Sequence, residues 1–315
     1  MQDEETCGSV RCDEETGAKA GPRIASQQFP LKDRQPLATI DVAAIGSLTV
    51  NEAGHTLSLA GDGFRTAFDK QTGKMISLQY EGKEMIHNNK GFDLNWYRSV
   101  NNDKYADQNY YPATDENTMF SYQAANDNRS VTIITNATRA IQAGKIVRIP
   151  YLVKYQVYAD GTIDVDAGFS SPPAGSFVHR LGLQIVLPAG MEKVTYYGHG
   201  PHENYPDRKH SAFIGQYATT VTAMRQEHYV RTQSMGNMQD VRWITITNSD
   251  NHGIKISSKD RLSFSALHFT DQELWENVHD FKLDQIRRPE VYLSLDCIQQ
   301  GLGNASCGPL PLQQY

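Results

Sequence analysis

Groups able to bind or transfer protons are concentrated between residues 196 and 208. The stretch reads YYGHGPHENYPDR and contains His199, His202, Glu203 and Asp207. Imidazoles and carboxylates in one segment could be an acid and base pair, metal ligands or scaffolding that bonds the backbone. Two glycines and two prolines predict a loop of fixed shape rather than a helix or a central strand. We expect this loop at the end of a sheet, where sites are often built.

The spacing in this stretch favours scaffolding. HGPHE lacks the HExxH spacing that places metal ligands on one helix face, and the sequence does not give the separation of the two carboxyl groups that glycoside chemistry requires. We therefore predict a structural loop in which the polar side chains bond backbone amides and Arg208. Its members are Glu203, Asn204, Asp207 and Arg208. His199, His202 and Glu203 stay open as an alternative catalytic set.

Four other segments combine amides, guanidinium groups and aromatic rings with glycine. They are residues 95–103 (NWYRSVNND), 227–237 (EHYVRTQSMGN), 240–243 (DVRW) and 301–309 (GLGNASCGP). Carbohydrate sites use such groups, because amides and guanidinium bind hydroxyls and ring faces cover the apolar side of a pyranose. For Trp96 and Trp243, packing in the core beneath these segments is the competing interpretation.

The elements that must position these segments are short alternating strands separated by turns. Asp160-Gly161 between two such strands is the strongest hairpin signal. We predict strands at 48–50, 57–59, 64–68, 75–80, 131–136, 151–158, 162–167, 177–187, 194–197, 241–247, 253–257, 262–268 and 291–297. Thr270 and Glu273 form a capping-box pattern that opens one short helix. The fold class is all-β, a large antiparallel sandwich with one or two short helices.

Composition limits the function classes. The 315 residues carry a net charge of −6, which argues against a nucleic-acid or anionic-membrane partner. No stretch is long and apolar enough for a membrane span. The acidic start at residues 1–5 is unlike a signal peptide. We expect a cytoplasmic protein, or a periplasmic or other one if the chain was cut from a secreted enzyme.

Two regions are predicted along the chain. Residues 1–36 read as a polar tail or linker, within which 20–31 has a faint strand alternation, and residues 37–315 read as one folded domain. The four cysteines are unevenly placed, which favours unpaired thiols over a disulfide framework. They are Cys7, Cys12, Cys297 and Cys307.

Taken in order, five motifs resemble the C-terminal small-chain domain, domain 5, of family 2 β-galactosidases. They are NWYRSVNND, GHGPHENYPDR, YVRTQSMGN followed by DVRW, LHFTDQEL, and DCIQQGLGNASCGP. The resemblance covers about residues 37–315 and implies a galactose-mutarotase-like β-supersandwich. Residues 20–31 are similar to the last strand of the preceding sandwich. In the family, the catalytic glutamates lie on a (β/α)₈ barrel upstream, so the resemblance implies no catalytic residue in this chain and an inactive isolated domain.

The resemblance also implies a substrate rim that this domain lends to the barrel. Its members here are Asn101, Asn102, Asp103, Gln226, Glu227, His228, Tyr229, Asn304 and Cys307. The family often has a tryptophan that stacks on the sugar where this chain has Cys307, so a smaller apolar contact is expected there in place of a stacking ring. Ser234-Met235 stands where Glu-Asn is commoner, so substrate preference is expected to differ from that of a lactose enzyme.

The expected partners are a β-galactoside or other carbohydrate, the catalytic barrel portion of the same enzyme and another copy in a homo-oligomer. We expect neither nucleic acid nor membrane. No cofactor is expected in this chain; the metal question stays open, with a divalent cation an option for a full-length enzyme. Two alternatives remain. One is an aldose 1-epimerase with His199 or His202 as acid and Glu203 as base, and the other is a free-standing carbohydrate-binding module.

Overall fold

Antiparallel strands make up most of the protein in a computed structural model. The structure describes residues 26–29, 37, 39–103, 109–171, 178–225, 228–304, 308–309 and 311–312. The strands are β1 (Thr49–Ala53), β2 (Thr56–Gly61), β3 (Phe64–Asp69), β4 (Lys74–Tyr80), β5 (Lys83–Glu84), β6 (Asp93–Asn95), β7 (Ala113–Ala124), β8 (Ser130–Ala143), β9 (Lys145–Tyr158), β10 (Ile163–Phe169), β11 (Arg180–Leu187), β12 (Lys193–Gly200), β13 (Phe213–Thr220), β14 (Met238–Thr247), β15 (Gly253–Leu267) and β16 (Val291–Gln299). The helices are α1 (Asp271–Glu276) and α2 (Leu283–Ile286), preceded by a 3-10 turn at Asp280–Lys282.

These strands form three sheets. A five-stranded sheet has the order β1-β2-β3-β4-β5, a four-stranded sheet the order β10-β9-β8-β7, and a seven-stranded sheet the order β13-β12-β14-β15-β16-β11-β6. Burial alternates along β3 and β9, as the period of two requires for strands with one buried face, whereas β11 and β16 of the seven-stranded sheet are buried at most positions. The class predicted from the sequence, an all-β antiparallel sandwich with short helices, is confirmed.

One hydrophobic core joins the three sheets. Phe68 of β3 and Tyr155 of β9 meet edge to face, with ring centroids 5.1 Å apart. Both side chains are fully buried, and the same cluster continues into the seven-stranded sheet through Phe264 of β15. The sheets are therefore stabilised by shared packing as well as by their own hydrogen bonds.

The capping box and most of the predicted strands are confirmed. The Thr270 side chain accepts from the backbone N–H of Glu273, and the Glu273 side chain accepts from the backbone N–H of Thr270. Strands predicted separately at 253–257 and 262–268 form one strand, β15. The sequence analysis missed the edge strands β5, β6, β7 and β13. β5 and β6 are only two and three residues long, and β7 and β13 carry polar residues on much of their surface.

One prediction about residues 196–208 is wrong. Gly198, His199 and Gly200 belong to β12, which lies between β13 and β14, and the loop begins only at Pro201. A Cβ on Gly198 would lie 2.6 Å from Cγ2 of Val241, so glycine is needed there for the close approach of β14. The glycines mark a tight strand packing rather than the start of a loop.

Some predictions fall outside the described residues. These include Cys7, Cys12 and Cys307 and most of the tail at 1–36. Within 26–29, the amide of Gln28 donates to the Ile214 carbonyl oxygen (2.8 Å) and accepts from the Ile214 N–H (2.5 Å), at the outer edge of β13. Cys297 is a free thiol. Within the described ranges, no helix is long and apolar enough to cross a membrane.

Candidate functional site

Four loops meet at one end of the seven-stranded sheet. They are residues 96–103 after β6, 201–212 after β12, 228–237 before β14 and 300–304 after β16. Neighbouring strands run antiparallel, so the end of β12 lies beside the start of β14, and the end of β16 lies beside the start of β11. We call these four segments the loop cluster. It gathers most of the polar segments that the sequence analysis singled out.

Glu203 ties the loop after β12 to the loop before β14. It is 4% exposed, and its two carboxylate oxygens accept from the hydroxyl of Tyr229 and from the backbone N–H of Gly236, each at 2.7 Å. A buried carboxylate with a charge-assisted hydrogen bond to each oxygen holds its partners firmly. Glu203 therefore fixes the position of Tyr229.

Asn204 is the most thoroughly bonded residue of the same loop. Its fully buried amide donates to the carbonyl oxygen of His202 (2.9 Å) and accepts from the backbone N–H of Gln239 (2.9 Å). Its backbone N–H donates to the carbonyl oxygen of Asn237, and its own carbonyl oxygen accepts from the Asn237 side chain. This loop is scaffolded on both its backbone and its side-chain groups.

Asp207 and Arg98 bind the loop after β16. Asp207 accepts from the backbone N–H groups of Leu302 (3.0 Å) and Gly303 (2.7 Å). Arg98 is 2% exposed, forms a two-pronged ion pair with Asp103 at 2.6 and 2.9 Å, and donates to the carbonyl oxygens of residues 300 and 301. These bonds join three of the four loops.

Arg180 anchors the cluster to the sheet. Its buried guanidinium is shared by Asp296 of β16 (2.8 Å) and Asp271 of α1 (2.7 Å). Asp271 also accepts from the hydroxyl of Ser234, which accepts from the backbone N–H of Ser99. Burial raises the pKa of Asp296 to about 6, because it outweighs the lowering by Arg180 and adds to the repulsion from Asp271.

Sequence reasoning missed Arg98, Arg180 and Asp271. A signal existed for Arg180, because an arginine inside the apolar run 177–187 has to find a buried partner. No comparable signal in the sequence pairs Arg98 with Asp103 or Arg180 with Asp271.

Both histidines of residues 196–208 have hydrogen-bonding partners within the protein. His199 places Nδ1 2.6 Å from the carbonyl oxygen of Ala212 and Nε2 3.1 Å from the carboxylate of Asp240. His202 contacts the hydroxyl of Ser211 through Nε2 at 2.9 Å. The structure therefore directs His199 to Asp240 and Glu203 to Tyr229, which does not favour the alternative set of His199, His202 and Glu203 as an acid and base pair.

The family follows from comparison with known proteins. The model of the family described as β-galactosidase small chain matches residues 60–315. The chain belongs to this family. The resemblance stated from the five motifs is thereby confirmed.

This chain is similar over most of its length to curated β-galactosidases. That of Priestia megaterium is 29% identical over 94% of this chain and 28% of the relative. That of Actinobacillus pleuropneumoniae is 26% identical over 84% of this chain and 26% of the relative, and that of Kluyveromyces lactis is 25% identical over 94% and 29%. The chain thus spans little more than a quarter of these relatives. Among solved structures, Pichia pastoris lysyl oxidase covers 88% of this chain and 54% of its own at a TM-score of 0.28 and 10% identity, which supports no argument.

The loop cluster brings five predicted rim residues of the small chain together. Asn101 accepts from Arg231 (3.1 Å) and its backbone N–H donates to Gln233 (3.0 Å), while Asn102 donates to the carbonyl oxygen of Gly303 (3.3 Å). The exposed or partly exposed members are Asn101, Asn102, His228, Tyr229 and Asn304. Gln226, Glu227 and Cys307 lie outside the described residues.

Two residues differ from their predicted placement, whereas Trp96 agrees with one of its two interpretations. Asp103 is 7% exposed and paired with Arg98, so its carboxylate does not face a ligand on the rim. Arg208 is exposed, and of its groups only the backbone N–H takes part in a hydrogen bond among the described residues, to Tyr205. Trp96 is 4% exposed and packs in the core, as the competing interpretation predicts.

The loop cluster does not fit a divalent cation. Within the ranges that the structure describes, no group of three or more His, Cys, Asp or Glu side chains could hold a metal ion. The carboxylates of Glu203 and Asp207 face N–H or O–H donors, whereas a cation requires free oxygen ligands.

Proposed function

We propose that this chain forms the active-site rim of a β-galactosidase whose catalytic carboxylates lie on another portion of the enzyme. The reaction is the retaining hydrolysis of terminal β-D-galactosides, which requires two carboxyl groups about 5 Å apart and a covalent glycosyl-enzyme intermediate. The membership of the small chain in this family and its similarity to a quarter of several β-galactosidases support the proposal.

The observation that carries the proposal is the way the loop cluster uses its carboxylates. Glu203, Asp207 and Asp103 each accept two hydrogen bonds or a two-pronged ion pair from the protein itself. Retaining hydrolysis would require two carboxyl groups that face the substrate, and these three carboxylates face donors of the protein instead. Amide and imidazole groups of neighbouring residues are exposed. This arrangement suits orientation of a sugar better than proton transfer to it.

The rim residues have distinct roles in this proposal. The amides of Asn102 and Asn304 bind sugar hydroxyls, and Tyr229 offers a ring face whose position Glu203 fixes. Bound in this way, the substrate is held for carboxylates supplied by the catalytic portion, and correct orientation lowers the entropic barrier of the reaction.

The test is hydrolysis of a nitrophenyl β-galactoside. The isolated chain is expected to give no turnover, and turnover is expected when it is combined with the catalytic portion of its enzyme. Asn304→Ala should then raise KM by roughly 3- to 10-fold with little change in kcat, the signature of a lost binding contact. Met119→Ala, on the exposed face of β7, is the control and should leave both constants unchanged.

Other outcomes would contradict the proposal. Turnover by the isolated chain that disappears in Glu203→Gln would place the chemistry in the loop cluster. Acceleration of galactose mutarotation, followed by polarimetry, would favour an epimerase. Tight binding of galactose by the isolated chain would favour a carbohydrate-binding module, since the rim alone is expected to bind weakly.

The remaining parts of the proposal concern partners and place. A divalent cation, where the enzyme uses one, would be held by the catalytic portion. A cytoplasmic location and a homo-oligomer stay predictions from the sequence, which cell fractionation and sedimentation would test.

A further inference from the structure

Several large apolar side chains are exposed at one side of the loop cluster, one of them within its segment 228–237. Val230 is 87% exposed, Phe281 65% and Val278 43%, and the partly exposed ring of Trp275 lies near them. We call these four residues the apolar surface. Clusters of exposed large apolar side chains often mark interaction sites.

Contacts of neighbouring residues place the segment that carries Val230 beside α1 and the residues after it. The guanidinium of Arg231, next to Val230, lies 4.3 Å from the centre of the Trp275 ring. The hydroxyl of Thr232 donates to the carbonyl oxygens of Leu274 and Asn277, at the end of α1. The segment 228–232 therefore runs alongside α1 and the turn that follows it.

The backbone beneath the apolar surface is held rigidly. Arg225 makes two bonds to the carboxylate of Asp280, at 2.9 and 3.3 Å, and His228 contacts the same carboxylate at 2.9 Å. The ring of His279 stacks on Phe281 with centroids 5.6 Å apart. Because the exposed side chains stand on a fixed support, binding to them would cost little ordering entropy.

Charges of both signs surround the apolar surface. Arg225 is paired with Asp280 and Asp284, while Arg231 stacks on the Trp275 ring and donates to Asn101. Glu276 and Lys282, of opposite sign, are exposed in the same part of the chain. The surface offered to a partner is therefore apolar and aromatic, without an excess of one sign of charge around it. Such faces are typical of permanent contacts, whereas steered transient contacts present unpaired charge.

We infer that the apolar surface is the docking site of the small chain on the catalytic portion of its β-galactosidase, an inference that rests on the proposed function. Two observations select this occupant. The surface is continuous with the predicted rim, since His228 and Tyr229 precede Val230 and Arg231 bonds Asn101. The chain also spans only 28% of the Priestia megaterium relative, so most of such an enzyme lies outside it.

The test is the double variant Val230→Asp/Phe281→Asp, compared with Met119→Asp. Met119 is 63% exposed on β7 and so matches Phe281 in exposure without belonging to the apolar surface. The dissociation constant for the catalytic portion is measured by sedimentation, together with the chain concentration that gives half-maximal hydrolysis. The double variant is expected to raise both by about tenfold or more, as loss of buried apolar anchors does, with unchanged kcat at saturation and an unchanged thermal midpoint. Met119→Asp should change neither.

Each outcome decides between the alternatives. Wild-type affinity in the double variant would overturn the docking site while leaving the proposed function intact. Absence of binding by the wild-type chain would instead count against the proposed function. A wild-type dimer that the double variant converts to a monomer would show that a second copy, and not the catalytic portion, occupies the apolar surface.

Discussion

Asp240 determines the role of His199, one of the two histidines in residues 196–208. It adopts a positive φ of 54° in β14, and its carboxylate lies 3.1 Å from Nε2 of His199 and 2.8 Å from Nζ of Lys209. Burial would raise the pKa of this carboxyl, but the hydrogen bonds and charges of His199 and Lys209 more than offset it and leave the pKa well below its usual range. His199, which composition offers as a catalyst, therefore takes part in a structural contact with Asp240.

This pairing predicts a pH dependence for Asp240→Asn. The substitution tolerates a positive φ but removes the charge. Because the folded pKa is lowered, the stabilisation is complete above the unfolded pKa of about 4 and is lost as the pH falls below it towards the folded pKa. Asp240→Asn should reduce the free energy of unfolding by about 1–2 kcal/mol at pH 7.

Urea unfolding at several pH values measures this effect. The difference between wild type and Asp240→Asn should shrink as the pH falls below about 4. Asp250→Asn removes an exposed carboxylate and is the control, with an expected change below about 0.5 kcal/mol. A constant difference for Asp240→Asn from pH 3 to pH 7 would contradict the assigned role.

Glycines decide how the strands of the seven-stranded sheet approach each other. Gly182 of β11 lies where the pairing with β16 shifts register, and β6 pairs on its other side. A Cβ at this position would lie 2.6 Å from Cα of Asp296, which is too close for any side chain. The glycine thus permits the irregular pairing that places Asp296 beside Arg180.

Gly182→Ala is expected to destabilise the protein by about 2 kcal/mol or more, because backbone rather than a flexible side chain must move. The thermal midpoint should fall by roughly 3 °C or more for a protein of this size. Gly168 of β10 has open space where a Cβ would lie, so Gly168→Ala is the matched control and should leave the midpoint unchanged or slightly raised. Equal midpoints for the two variants would disprove the packing role of Gly182.

At the scale of the whole molecule, one core makes the three sheets interdependent. Phe68 and Tyr155 connect the five-stranded and four-stranded sheets, and Phe264 packs against Tyr196 within the seven-stranded sheet at 5.2 Å between centroids. All four belong to the same buried cluster. A substitution that destabilises one sheet should therefore destabilise the other two as well.

Phe68→Ala tests this coupling. Loss of a fully buried ring should lower the free energy of unfolding by about 3–5 kcal/mol. Tryptophan fluorescence and far-ultraviolet circular dichroism should still report one coincident transition. Phe281→Ala is the control, since its exposed ring should contribute less than about 0.5 kcal/mol. Separate transitions in the Phe68→Ala variant would show that the sheets unfold independently.

The sequence by itself determined the class of fold, most of the strands, the capping box at Thr270 and the family. These depend on local pattern and on motif order, which the chain carries in consecutive residues. Glu203, Asn204 and Asp207 were also assigned to scaffolding from local chemistry. Only the tertiary structure decided that Arg98 pairs with Asp103, that Arg180 is shared by Asp271 and Asp296, and that His199 faces Asp240. The physical reason is that burial and the choice of partner depend on residues far apart in the chain, 116 positions for Arg180 with Asp296 and 203 for Arg98 with Gly301, and no local pattern encodes such contacts.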